Sequence, residues 1–153
     1  MLAELQAQTT EALEDLRDFA RGIYPPLLAD QGLPAALEAQ ARKSAVPVEI
    51  APDGVGRYRQ EVESAVYFSV LEALQNVAKY AGASGVQVRL GEDGGRLRFE
   101  VIDDGRGFDP AVTGYGTGLQ GMADRLAALE GSIQIRSQPG RGTVVAGSVP
   151  LMD

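Results

Sequence analysis

The period of the hydrophobic positions changes several times along the chain, and each change marks an element. Leu2, Leu5, Thr9, Ala12, Leu16, Phe19 and Ile23 recur at alternating intervals of three and four. That is an a/d seam, and it predicts one helix over residues 2–23. The positions between are largely polar, among them Glu4, Gln8, Glu11, Glu14, Arg17 and Asp18. Two readings stand at this point: an amphipathic helix packed on its own domain, or one arm of a bundle or coiled coil shared between chains. Pro25-Pro26 ends the helix. A short connector is expected at 27–32. Pro34 suits the first turn of a second helix at about 34–44, with Leu33, Leu37 and Ala41 on one side.

Val46-Pro47-Val48-Glu49-Ile50 reads as a first strand, its proline marking an edge. Ala51 to Arg57 carries a proline, an aspartate and two glycines and reads as a loop. A long helix follows over about 59–80, with Val62, Ala65, Val66, Val70, Ala73, Leu74, Val77 and Ala78 forming a broad apolar side. Strands are expected at about 86–90 and 96–102, joined by a hairpin turn at Glu92-Asp93-Gly94-Gly95. A glycine-rich loop spans 105–118, and a helix about 119–129. Ser132–Ser137 and Thr143–Val149 form a closing hairpin around Gln138-Pro139-Gly140-Arg141-Gly142. Strands that mostly adjoin by hairpins predict a mixed, mainly antiparallel sheet with helices on one face. The fold class is therefore α+β, a two-layer α/β sandwich preceded by a long N-terminal helix.

Composition narrows the chemistry. The net charge of −7 gives no reason to expect a nucleic-acid partner. The chain has no cysteine and no histidine, which removes disulfides, thiolate metal sites and the Ser-His-Asp and Cys-His nucleophile systems. Any chemistry must use carboxylates, amides, hydroxyls, Lys, Arg and backbone groups. No apolar run approaches a membrane span and no signal-peptide pattern opens the chain, so a soluble, cytoplasmic piece without membrane contact is expected.

Three stretches could carry function. On an ideal helix Glu72, Asn76, Lys79 and Tyr80 have bearings of roughly 0°, 40°, 340° and 80°, one polar stripe on a helix apolar elsewhere. It can be a plain solvent face, but asparagine favours caps and turns over helix interiors. Amide and carboxylate oxygens at this spacing suit Mg²⁺ shared with phosphate oxygens, and Lys79 adds a phosphate-facing charge. Gly116-Thr117-Gly118-Leu119-Gln120-Gly121 is a literal G-x-G-x-x-G. No strand precedes it directly, so the dinucleotide-binding reading fails. What remains is a glycine loop whose N–H groups can cradle an anion beside a helix N-terminus. In the third stretch, Leu97-Arg98-Phe99-Glu100-Val101-Ile102 stops at Asp103-Asp104-Gly105-Arg106-Gly107. Adjacent residues at a strand end point opposite ways, so the two acids have separate fates. Asp103 suits a hydrogen-bond acceptor for a ligand amine at the edge of a core, and Asp104 a solvated turn residue. Gly140-Arg141-Gly142-Thr143 reads as an ordinary hairpin turn whose threonine begins a strand.

Together these stretches resemble the ATP-binding domain of sensor histidine kinases, of the Bergerat or GHKL type, over roughly residues 60–151. Glu72-Ala73-Leu74-Gln75-Asn76-Val77-Ala78-Lys79-Tyr80-Ala81 is similar to the family's N box. Asp103-Asp104-Gly105-Arg106-Gly107-Phe108 is similar to its first glycine box, Gly116 to Met122 to its second, and Gly140 to Leu151 to its closing G-x-G-T strand pair. Leu16-Arg17-Asp18, Gly22 to Leu28 and Gly32 to Leu37 resemble the NarL/DesK-type join between a second dimerisation helix and the ATPase domain.

The resemblance implies a division into residues 1–24, the remnant of a second dimerisation helix, and 25–153, the ATP-binding catalytic domain. It implies ATP and Mg²⁺ as cofactors, with Asn76 as metal ligand, Glu72 orienting or activating a water or phosphate neighbour, and Lys79 on phosphate. Asp103 would accept from the adenine amino group with support from Thr143. Gly105 and Gly107 would let the chain pass close to the nucleotide. Gly116, Thr117, Gly118 and Leu119 would line the phosphates, behind a short lid at 108–117. Tyr80 stands where the family commonly has histidine and is carried as a nucleotide contact. The implied partners are a dimerisation domain bearing the phosphoacceptor histidine, a response regulator, and a second copy in the full-length protein. Because the chain holds no histidine, the acceptor is expected on a helix outside it, in a longer sensor kinase. An anti-sigma-factor-like serine kinase shares the same site, a GHKL ATPase machine would need a longer chain, and a module that only binds a partner would show no nucleotide affinity.

Overall fold

The computed structural model describes residues 25–107 and 117–151, with only the backbone course described for residues 80, 81 and 117–120. The helix expected over 2–23 and the segment 108–116 lie outside the described residues. The first described element is a short helix, α1 (Pro26–Gln31), where a connector was expected. Pro26 occupies its first turn, where the missing N–H costs nothing and the fixed φ is already helical. The proline pair thus closes one segment and opens the next. Gly32, at φ +90°, terminates α1 and donates its N–H to the Leu28 carbonyl at 3.0 Å. Helix α2 (Leu33–Arg42) starts at once.

Strand β1 (Val48–Asp53) runs into the segment expected as a loop. It pairs in parallel with β2 (Val86–Asp93), from Val48 opposite Val86 to Asp53 opposite Gly91. Pro52 is tolerated because β1 is an edge strand, where an N–H can be missing. Next comes α3 (Gln60–Asn76), which passes into a π-helical turn, Val77–Ala81, and ends at Gly82 in the left-handed conformation. β2 joins β3 (Arg96–Asp103) through Gly94 and Gly95, both at positive φ, the conformation that a two-residue hairpin turn needs. Helix α4 (Thr117–Ala127), β4 (Ser132–Ser137) and β5 (Thr143–Pro150) complete the fold.

The strands form one five-stranded sheet in the order β1-β2-β3-β5-β4. Only β1 and β2 run parallel; the other neighbours are antiparallel. The mixed, mainly antiparallel α+β sandwich is the architecture that the hydrophobic pattern predicts. Alternation along the strands sorts the faces. Val86, Val88 and Leu90 of β2, Leu97, Phe99 and Val101 of β3, and Val145 and Val149 of β5 are buried, while Arg89 and Arg98 point to solvent. Phe99 lies opposite Gly147, where a Cβ would overlap its ring. Gly147 is there to make room for that aromatic.

Helix α3 is buried on every side from Val62 to Leu71. It runs between the sheet and its neighbours, which explains an apolar side broader than a surface helix shows. Tyr67 and Phe68 meet edge to face at 5.0 Å, and Gln40 donates to the Tyr67 hydroxyl at 2.9 Å. Glu63, 1% exposed, is the one charged residue deep in this layer among the described residues other than Asp103. Arg57 answers it, with Nε 3.1 Å from Glu63 Oε2, and also donates to the carbonyls of Leu28 and Ala29 at 3.3 and 2.9 Å. Carbonyls in the last turn of a helix run short of intrahelical donors; the Leu28 carbonyl has the Gly32 N–H, and one guanidinium serves it, the Ala29 carbonyl and a buried carboxylate. In this way α1 is fastened to the start of α3.

Candidate functional site

Asp103 sits on the core-facing row of β3, after Leu97, Phe99 and Val101, at the position where the alternation would put another apolar side chain. It is 7% exposed. Its Oδ1 accepts the Gly105 N–H at 2.8 Å, and the Thr143 N–H also bonds to the carboxylate. Burial pushes its pKa above the ordinary value, with a smaller contribution from the neighbouring Asp104 charge, and the two amide bonds pull the other way. The result is an acceptor held in place from two strands at the edge of the core.

Thr143 is the register partner of Asp103 across β3 and β5. Its hydroxyl lies 2.8 Å from Ser137 Oγ, so its direct link to Asp103 runs through the backbone.

The two glycine turns beside this pair interlock. Gly107, at φ +63°, passes so close to the β4–β5 turn that a Cβ would overlap the Gln138 carbonyl oxygen. Gly142, at φ +77°, approaches the Asp103 carbonyl in the same way. Gly140 donates its N–H to the Arg106 carbonyl at 2.6 Å. The hairpin turn that looks ordinary in sequence therefore braces the loop after Asp103. Gly107 is needed for a close approach of chain to chain, and Gly105, also buried, lies between it and the acid.

Glu72 and Asn76 lie one α-turn apart on the last part of α3, both half-buried. Lys79 is exposed and belongs to the π turn that starts at Val77. The winding is wider there, so the bearings expected for Lys79 and Tyr80 on an ideal α-helix do not hold beyond Asn76. Single π turns of this kind occur often at functional sites. Arg125 of α4, whose neighbours Met122 and Leu126 are fully buried, feels the Glu72 charge; burial lowers its pKa and Glu72 opposes the shift. A cation between two apolar positions of a short helix was the sequence signal for this group.

Asp104 is more than a solvated turn acid. Exposed, and on the opposite side of the strand from Asp103, it accepts the N–H groups of Ser84 and Gly85 at 2.8 and 3.1 Å and the Ser84 hydroxyl. The Ser84 hydroxyl, then the two amides, hold its pKa below the ordinary carboxylate value.

Thr117, Gly118 and Leu119 fall in the first turn of α4, which begins two residues earlier than expected. Their side chains, that of Tyr80, and Gly116 lie outside the described residues. A depression of about 460 Å³ where β1, β2 and β3 lie side by side is lined by Glu49, Gln87, Ile102, Asp103 and Asp104 among others. Among the described residues no group of three or more His, Cys, Asp or Glu could hold a metal ion, and no helix is long and apolar enough to cross a membrane.

Known proteins are similar to this chain in sequence and in structure. The sensor histidine kinase MctS of Rhizobium johnstonii is 34% identical over 148 residues, which cover 91% of this chain and 32% of that protein. The chain thus spans about a third of the length of this curated relative. The blue-light activated histidine kinase EL346 of Erythrobacter litoralis is similar in structure, with a TM-score of 0.67 and 26% identity over 78% of this chain and 42% of that one. The mycobacterial sensor histidine kinase MprB shares the fold, with a TM-score of 0.55 at 23% identity over 75% of this chain and 89% of that one. The model of the histidine kinase-, DNA gyrase B- and HSP90-like ATPases matches residues 61–153, which include α3, both glycine turns and the closing strand pair. The chain belongs to this ATPase family.

Proposed function

We propose that the chain binds Mg-ATP and donates the γ-phosphate to a histidine on a separate dimerisation helix, as the catalytic part of a two-component sensor kinase. The observation that carries the reading is Asp103, a buried acceptor fixed from two strands beside two interlocked glycine turns. A carboxylate so placed has lone pairs left for an amino group. That suits the exocyclic amine of adenine. The similarity to sensor histidine kinases supports histidine as acceptor, and a response regulator as the next partner.

On this reading Asn76 offers a hard amide oxygen to Mg²⁺, which keeps several waters and shares phosphate oxygens. When bound, the ion neutralises charge on the phosphates. The chain's own groups do the rest. Lys79 carries charge to the phosphate side, Glu72 orients a neighbouring water or phosphate, and Gly116, Thr117, Gly118 and Leu119 supply backbone contacts at the start of α4. Thr143 supports Asp103 at the adenine, and Tyr80 is carried as a nucleotide contact. Phosphoryl transfer asks mainly for such positioning and charge neutralisation. Residues 1–24 are the end of the second dimerisation helix of a NarL/DesK-type kinase, and 25–153 the ATP-binding unit. The full-length protein pairs with a second copy through that helix, and this portion stands in the cytoplasm.

Transfer is tested by incubating the chain with labelled ATP and a histidine-bearing dimerisation fragment from a similar kinase. Acid-labile label on the fragment is expected. Acid-stable label would point to a serine acceptor and contradict the proposal.

A further inference from the structure

We propose that Asp104 is a positioning residue of the nucleotide site, tying the loop that leaves the Asn76–Lys79 end of α3 to the first glycine turn. The proposal rests on the Mg-ATP reading above. The loop Gly82–Gly85 is the only covalent path from the π turn to β2. Two of its consecutive N–H groups, Ser84 and Gly85, converge on Asp104 Oδ1, while the Ser84 hydroxyl donates to Oδ2. Successive amides aimed at one carboxylate make a directed, charge-assisted contact. Gly82, at φ +60°, packs under Arg106, whose Nη2 would stand 3.4 Å from a Cβ there. Of the residues on either side of Gly105, Asp104 thus binds one end of this four-residue loop and Arg106 lies beside the other.

This matters because the two functional elements touch through that loop. Asp103 is fixed by β3 and β5. Lys79 and Asn76 are fixed by α3 and the π turn. Val86, directly after the loop, is the register partner of Asp103. Asp104 therefore sets the distance between the base-reading acid and the phosphate-side groups through the loop, its two carboxylate oxygens being engaged by Ser84 and Gly85. The depressed pKa of Asp104 agrees with a carboxylate used as an anion by these donors. Its contribution to stability is present above the ordinary aspartate range and is lost as pH falls through the depressed value.

The test separates the phosphate side from the base side by titrating Mg-ATP and adenosine into the same variants. In Asp104→Ala the Mg-ATP affinity should fall roughly fivefold, the size expected for losing charge-assisted bonds at an exposed site. Adenosine, which reads only the Asp103 side, should change by less than about twofold. Asp104→Asn keeps an oxygen that accepts from Ser84 and Gly85, and should recover most of the Mg-ATP affinity. Ser84→Ala removes one donor without touching the carboxylate, and should shift the same ratio in the same direction by less; it serves if Asp104→Ala does not fold. Equal losses for both ligands, or an unchanged ratio in Asp104→Ala and Ser84→Ala, overturn the positioning role. An unmutated chain that binds neither ligand overturns the Mg-ATP reading instead.

Discussion

Asp103→Asn is expected to raise the Kd for Mg-ATP by roughly 10- to 100-fold, the range for a hydrogen bond to a buried charged acceptor. Asparagine keeps the shape and can still accept the Gly105 N–H, so the loop should stay in place. What it loses is the charge that attracts a donor amine. The same substitution has an opposite effect on the empty protein. Burial raises the folded-state pKa of Asp103. Such a group contributes stability that is full below its unfolded pKa and is lost as pH rises through the raised folded value. Near neutral pH the ionised carboxylate is a cost of the fold. The stability of Asp103→Asn relative to the parent should therefore improve as pH rises from below the ordinary carboxylate range to neutrality. Urea unfolding of both proteins across that range measures it. A difference that stays flat with pH would mean that Asp103 is not desolvated in the folded chain.

Gly107→Ala is expected to cost about 3 kcal/mol or more of stability, from a left-handed conformation forced on an L-residue and from overlap in a packed turn. Gly107 stands at φ +63°, and its Cβ would meet the Gln138 carbonyl oxygen and lie 2.9 Å from the Gly142 oxygen. Neither atom belongs to a flexible side chain, so the β4–β5 turn must move. Gly54 is the control. It has φ +67° and open space around it, so Gly54→Ala meets only the conformational cost of about 1 kcal/mol. Chemical denaturation of the two variants separates strain from interlocking. Equal losses would remove the claim that the two glycine turns brace each other. A domain of this size has of order 5–15 kcal/mol in total, so Gly107→Ala should still fold at low temperature and permit a binding measurement. Its ATP affinity should fall with the loosening of the loop beside Asp103.

Much of this site is legible in the chain. The alternation Leu97, Phe99, Val101, Asp103 assigns the acid to the buried side before any coordinates are known, and the next residue to the open side. The spacing of Glu72 and Asn76 puts them one turn apart, and α3 keeps them there. β2 to β5 and both hairpins appear close to where the period-two pattern and the turn glycines predict them, while β1 runs on to Asp53, into the segment expected as a loop. What escaped depends on contacts between distant residues. Asp104 meets Ser84 and Gly85 only because the β2–β3 register returns the chain to the end of α3. Gly107 meets Gln138 only because β3 and β5 are neighbours in the sheet, although β5 follows an intervening helix and strand. Arg57 reads as a loop cation in sequence; its partners are the end of α1 and Glu63. The π turn is invisible to a pattern that assumes one winding, so the stripe that the sequence predicts through Lys79 holds only as far as Asn76. The short helix α1 was missed because a proline pair signals an end more loudly than a start.

The most direct test of the central claim is calorimetric titration of Mg-ATP into the unmutated chain at neutral pH. The account predicts one-to-one binding with a Kd between roughly 1 μM and 1 mM, the usual range for enzyme substrates, displaced by ADP. A folded chain that gives no saturable binding at millimolar Mg-ATP would contradict it.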